Sequence, residues 1–347
     1  MSKIQTSFSV KDLNLKNRIV MPPMCQFSVD KEDGVPNDWH FVHYVSRAIG
    51  GTGLIIMEMT GVEPDGRITN QDLGLWNDSQ IPSYKKIIEE VHKFDCKIGI
   101  QIAHAGRKAE DASQPVGPSN IPVEVIPEET KNGVLTPPRS LETKEIKRII
   151  LSFKEAAERA IKAGFDTIEL HGAHGYLIHQ FMSPSINNRT DEFGNLSKFG
   201  VEIIKAVKSV MPEGMPLIMR ISAIEYIDGG YDLEHSLKIA EEFKTAGVDI
   251  FHISTGGEGL PGKRKPLNTP GYQTPFARKF KEHLNLPVIA VGRLENPQIA
   301  ESVLSNEDAD LVAVARGMLN DPYWAMHAIK EIYKEVKPPK QYKRAIR

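Results

Sequence analysis

Eight short apolar runs alternate with eight amphipathic stretches along this chain, and few folds accept that order. The runs lie at 18–24, 53–59, 97–104, 165–171, 216–222, 248–254, 287–292 and 310–316, lengths that suit strands better than helices. Helical spacing of apolar residues predicts helices at 40–49, 81–94, 144–163, 201–210, 233–246, 275–284, 297–304 and 323–336. The third is clearest. Ile146, Ile149, Ile150, Phe153, Ala157, Ala160 and Ile161 share one face, Thr143 is the expected N-cap, and Gly164 lies just past the end. Asp232 and Asp321 read as N-caps too, the latter with Pro322 at the first helical position. Strand and helix alternating eight times predict an α/β fold, a single (β/α)8 TIM barrel, with a doubly wound sheet as the alternative. Residues 105–142 and 177–200 are long for connections, and in a barrel both extend over the C-terminal face, where active sites are built. No composition shift marks a second domain, so 1–347 reads as one unit.

Net charge decides the class of partner. At −2, with a sequence pI near 6.6, the chain has no basic excess for nucleic acid or a membrane surface, which points to a small-molecule ligand. Only two cysteines occur, Cys25 and Cys96, too few for a disulfide framework or a structural metal cluster. Residues 1–11 lack the apolar segment of a secretory signal and no apolar run approaches membrane-spanning length, so a cytoplasmic location is expected.

The ends of the strands carry the chemistry. Alternation through Thr167-Ile168-Glu169-Leu170-His171 sends Thr167, Glu169 and His171 to one face, and His174 and Tyr176 follow directly. Gln101 lies opposite the isoleucines of its strand, and Arg220 shares a face with Ser222 near the end of the fifth run. A buried arginine needs an anionic or acceptor partner, and an ion pair with Glu169 or Glu58 is the structural alternative to a ligand. The last two runs end at Gly292-Arg293 and Ala315-Arg316, a combination suited to phosphate because the backbone N–H groups can approach closely and guanidinium pairs bidentately. Gly257 to Gly262 fits G-x-G-x-x-G, but Lys263-Arg264-Lys265-Pro266 follows where a helix should open, so it reads as a loop.

Ordered motifs then give a resemblance that spans nearly the whole chain. Leu15-Lys16-Asn17-Arg18-Ile19-Val20-Met21 with Pro23-Met24-Cys25, Gln101-Ile102-Ala103-His104-Ala105-Gly106-Arg107, Gly117-Pro118-Ser119, His171-Gly172-Ala173-His174-Gly175-Tyr176-Leu177, the run Asn188 to Gly194, and Gly271-Tyr272 together resemble the Old Yellow Enzyme family of FMN-dependent ene-reductases. Cys25 and the ending Gln341-Tyr342-Lys343-Arg344 resemble its thermophilic-like subgroup. The resemblance implies noncovalent FMN across the barrel mouth, with its phosphate near Gly292, Arg293, Ala315 and Arg316, its pyrimidine edge near Gln101 and Arg220, and Pro23, Met24, Cys25 and Met59 lining the ring. It implies NADPH or NADH as hydride donor and an alkene activated by a carbonyl or nitro group as acceptor. His171 and His174 would hold the activating oxygen and Tyr176 would protonate the α-carbon. Phe27 and Arg344 would touch substrate, Arg344 in a neighbouring subunit of a homodimer or homotetramer.

Several positions depart from the family pattern. Phe27 stands where the subgroup has a tyrosine, Met59 replaces a smaller residue, 194–200 is short, and Ala315 replaces a glycine. Two other functions fit a barrel: a metal-dependent hydrolase or lyase using His171, His174 and Glu169, and a phosphosugar enzyme using only the Gly292/Arg316 end. Against the first, Arg220 opposes a cation; against an aldolase, no lysine marks a strand end.

Overall fold

Alternation along each run sorts side chains to two faces, and the pairing of the runs closes them into a ring. The computed structural model describes residues 3–124, 135–263 and 265–345; Arg264 of the basic triplet, and parts of the expected 1–347 domain and of the 105–142 connection, lie outside the described residues. The ring strands are β1 (Ile19–Met21), β2 (Leu54–Gly61), β3 (Lys97–Ala103), β4 (Thr167–Gly172), β5 (Leu217–Ser222), β6 (Ile250–Ser254), β7 (Val288–Ala290) and β8 (Leu311–Ala313). Each pairs in parallel with its neighbours, and β8 returns to β1 with Val312 opposite Ile19. The expected eight-stranded α/β barrel is therefore the fold.

Around it run α1 (Asp38–Ile49), α2 (Ile81–His92), α3 (Thr143–Ala163), α4 (Lys198–Lys208), α5 (Leu233–Ala246), α6 (Thr274–Leu284), α7 (Pro297–Ser305) and α8 (Trp324–Tyr333). In α3 the stripe Ile146, Ile149, Phe153, Ala157 and Ala160 is fully buried, and each such Ile or Phe is worth about 1.5–3 kcal/mol of transfer from water. Gly164 ends the helix in the left-handed conformation at φ +98°. Thr143 proves to be the first helical residue, not the cap. Glu142 takes that place because Glu145 reaches back to its N–H at 2.8 Å, closing a capping box. Asp232 caps α5 as expected, accepting the His235 N–H. Asp321 instead accepts the Tyr323 N–H at 2.9 Å, and α8 starts three residues after it, at Trp324.

Inside the ring, the lower layers are apolar. Val20, Leu54, Ile56, Ile218, Ile250, Ile289 and Leu311 pack together against Leu13 and Leu15. Those two leucines come from the antiparallel hairpin Phe8–Val10/Leu13–Leu15, which closes the end of the barrel where the strands begin. Polar side chains occupy the layers above. β7 and β8 stop at Ala290 and Ala313, short of the expected 292 and 316. Gly292 at φ +119° and Arg293 at φ +55° are left-handed and end the β7 ladder. Arg316 opens a five-residue helix, Arg316–Asn320.

Candidate active site

The polar upper layer is assembled by register. Gln101 on β3 stands opposite Glu169 on β4, while Arg220 on β5 stands between His171 on β4 and His252 on β6. Gln101 Nε2 donates to Glu169 Oε1 at 2.7 Å, and His252 Nδ1 bonds Glu169 Oε2 at 2.7 Å. All three residues are buried. Arg220 makes neither of the ion pairs expected as the alternative to a ligand: its Nε is buried and has no hydrogen-bond partner among the described residues. Burial pulls its pKa down against the pull of Glu169. A guanidinium desolvated in this way calls for an acceptor or anion in the mouth.

Above this layer, β4 ends and the chain turns sharply. His174 is left-handed at φ +58°, followed by Gly175 at φ +73°. A Cβ at Gly175 would lie 2.7 Å from Glu258 Cα, and one at Gly257 would lie 2.7 Å from His174 Cα, so the loops after β4 and β6 meet only because both are glycine. The His171 and His174 rings stand edge to face at 5.2 Å, and Tyr176 lies 4.8 Å from His171. His171 Nδ1 accepts the Ala173 N–H at 3.3 Å, which leaves the proton of the neutral ring on Nε2. His174 Nε2 bonds Ser254 Oγ at 2.7 Å, and Ser254 Oγ donates to Gln273 Oε1 at 3.2 Å. Burial, reinforced by Arg220, pushes both histidines well below the usual imidazole range, so both are neutral at pH 7. Burial also raises the Tyr176 phenol well above its ordinary value, keeping its proton. Lys108 Nζ sits 5.2 Å over the Tyr176 ring and donates to the carbonyls of His174 and Gly257.

One wall follows β1. A bulge between Met57 and Met59 breaks the alternation of β2. It sends Glu58 outward to Tyr44 Oη and the Gln26 N–H, the latter at 3.1 Å, and turns Met59 into a cluster with Cys25, Ile68 and Tyr176. Pro23, Met24 and Cys25 are half-buried here, Phe27 is exposed at φ +49°, and burial pushes the Cys25 thiol up. The phosphate candidates divide. The Arg316 side chain is exposed and makes no hydrogen bond to another described residue, in a cleft of about 550 Å³ shared with Arg293, Gly317 and Trp324. Arg293, expected beside it as a phosphate ligand, commits part of its guanidinium elsewhere: Nε to Glu295 at 2.7 Å, Nη1 to Asn268 at 2.8 and 2.9 Å. Its Nη2 makes no hydrogen bond with a described residue, so that edge of the guanidinium remains in the cleft for an anion. Gly292 has no substitute, since a Cβ there would meet Gln273 Nε2 at 2.7 Å. Arg344 is exposed in the tail, where Tyr342 packs on Tyr323 at 5.9 Å; no contact among the described residues joins it to His171 or Tyr176 of its own chain.

Comparison with known proteins settles the class. The model of the NADH:flavin oxidoreductase / NADH oxidase family matches residues 3–335. This chain belongs to that family. An NADPH dehydrogenase of Listeria monocytogenes serotype 4b (strain F2365) is 46% identical over 349 residues, 99% of each chain. One from Bacillus subtilis (strain 168) is 43% identical, over 99% of this chain and 98% of its own. Among solved structures, morphinone reductase matches at a TM-score of 0.79 and 26% identity, covering 98% of this chain and 92% of its own; it has also been solved with tetrahydroNAD. The Old Yellow Enzyme resemblance therefore holds, and with it an FMN-dependent ene-reductase activity driven by a nicotinamide.

Within the family frame, the metal reading of His171, His174 and Glu169 fails on geometry, because both Glu169 oxygens are occupied by Gln101 and His252. The residues present fit FMN: a desolvated guanidinium without a partner at one end and an open cleft with Arg316 at the other. Sequence reasoning missed His252, Lys108 and the Ser254–Gln273 support. Alternation along Ile250-Phe251-His252-Ile253-Ser254 placed His252 and Ser254 on one face, a signal that was there to read. Lys108 arrives from a loop and gave none. The G-x-G-x-x-G run is a loop as expected, with no helix among the described residues between it and Thr274.

Proposed function

We propose that this flavoprotein reduces alkenes activated by a carbonyl or nitro group, with NADPH as reductant, and that His171, His174 and Tyr176 act on the alkene. The unpartnered, buried Arg220 Nε carries the placement of the cofactor in the mouth. FMN, when bound, supplies the relay of hydride from nicotinamide to the alkene β-carbon. Gln101 and Arg220 hold its pyrimidine side. Pro23, Met24, Cys25 and Met59 line its ring, and Gly292, Arg293, Ala315 and Arg316 hold its phosphate. The N–H on His171 Nε2 donates to the activating oxygen and strengthens as negative charge develops there. His174 shares that oxygen once the Ser254 hydroxyl proton turns from Gln273 Oε1 to His174 Nε2, which leaves the ring's own proton on Nδ1. Tyr176, protonated at pH 7, delivers the α-proton. Phe27 offers no hydroxyl and gives the pocket an apolar rim.

NADPH is favoured over NADH by the names of the bacterial relatives. The chain works as a homodimer or homotetramer in the cytoplasm, and Arg344 serves a neighbouring subunit; its exposure away from its own His171 supports that reading. The test is an absorbance spectrum with and without NADPH under nitrogen. Yellow protein that bleaches with NADPH and recovers its colour on adding cyclohexenone is expected; protein that bleaches with NADPH and stays bleached when cyclohexenone follows overturns the substrate assignment.

A further inference from the structure

Glu169 is buried in the barrel among the flavin-facing side chains, yet it touches no part of the proposed substrate site. Its two oxygens accept from two different strands, Gln101 Nε2 on β3 and His252 Nδ1 on β6, both at 2.7 Å. A carboxylate only accepts, so the amide end of Gln101 that faces it is the NH2. The carbonyl oxygen, pointing away from Glu169, and the second N–H of the amide are then what Gln101 can present to anything else. Glu169 therefore latches Gln101 as an acceptor, the polarity needed by a ring N–H. It also opposes a charge: of the charged groups around Arg220, Glu169 acts on it most strongly. Since the Arg220 guanidinium forms no hydrogen bond with Glu169, the two charges act through the low-dielectric interior, where screening is weak.

We propose that Glu169 is a positioning residue that holds Gln101 in its acceptor orientation and, by offsetting the charge of Arg220, keeps the midpoint potential of bound FMN low. The inference rests on FMN lying over this layer. Two-electron reduction of a flavin adds negative charge to the ring, which Arg220 favours and Glu169 opposes. A low potential speeds hydride delivery to the alkene and slows uptake from NADPH, so Glu169 sets the balance between the two half-reactions. His252 belongs to the same device: its Nε2 is buried without a partner among the described residues, and its Nδ1 holds the second carboxylate oxygen at 2.7 Å.

The test is the midpoint potential of the FMN-loaded protein, by dye equilibration, for wild type, Glu169→Gln, Glu169→Met and Glu169→Asp. The amide introduced by Glu169→Gln can accept from Gln101 and donate to His252 Nδ1 after a tautomer switch, preserving the bonds while removing the charge. The potential should move positive in both neutral variants, with reduced FMN gaining at least tenfold in affinity over oxidised FMN, about 30 mV for a two-electron couple. Glu169→Asp, which keeps the charge, should stay within threefold of wild type. Glu169→Met carries the test if the amide variant does not fold. An unmoved potential in a folded, FMN-loaded neutral variant overturns the proposal, and so does an equal shift in Glu169→Asp, which would mean shape and not charge. Wild-type protein without FMN would instead overturn the placement of the cofactor.

Discussion

At the scale of the residue, the mouth is defined by protonation states that burial imposes. Both histidines titrate well below the usual range, so they act as neutral donors, and alkene reduction should show no inflection near pH 6.5. Replacing His171 or His174 by alanine should lower kcat/KM for cyclohexenone about 100-fold, the loss typical of one oxyanion donor, and weaken binding of a phenol; unchanged values in both variants would remove their role. His171, His174 and Tyr176 were legible because they are neighbours in sequence at one strand end. The chain Gln101–Glu169–His252 was not, because it needs the register of β3, β4 and β6, which no local pattern encodes. The direction of Arg293 was hidden for the same reason: its partners, Asn268 and Glu295, lie on a loop and a turn whose approach depends on the left-handed backbone at 292 and 293.

At the scale of the element, eight strands and eight helices could be read because period-two and 3.6-residue spacing change over cleanly between them. Their ends could not. β7 and β8 end two or three residues early, and the bulge in β2 turns Glu58 away from Arg220, the ion-pair partner offered for it, since an extra residue inverts alternation without altering composition. The tail is an element of its own. It turns through Lys340–Tyr342 and rests Tyr342 against Tyr323, leaving Arg344 exposed. If a neighbouring subunit receives that side chain, Arg344→Ala should raise KM for the alkene severalfold while leaving FMN content unchanged. An unaltered KM would identify the tail as a packing element alone.

For the molecule as a whole, two buried groups pull stability in opposite directions with pH. Burial, Arg47 and His40 push His43 down to about 3, so the unfolded chain binds this proton first and stability falls as pH drops from about 6.5 toward 3. Burial raises Asp72 to about 7, so the folded chain keeps a proton that the unfolded one releases, and stability falls as pH rises from about 4 to 7. In urea unfolding at pH 4.5, 5.5 and 6.5, Asp72→Asn should gain on wild type as pH rises and His43→Gln as pH falls. Each slope is bounded by about 1.4 kcal/mol per pH unit, and parallel curves would show that neither shift exists. The hairpin Phe8–Val10/Leu13–Leu15 has a consequence for traffic. By stopping one end of the barrel with Leu13 and Leu15, it turns traffic toward the opposite end; if the electron donor and the molecule to be reduced share that approach, they must use it in turn. Each visitor would then shut the other out, and steady-state rates should fall at an excess of either one.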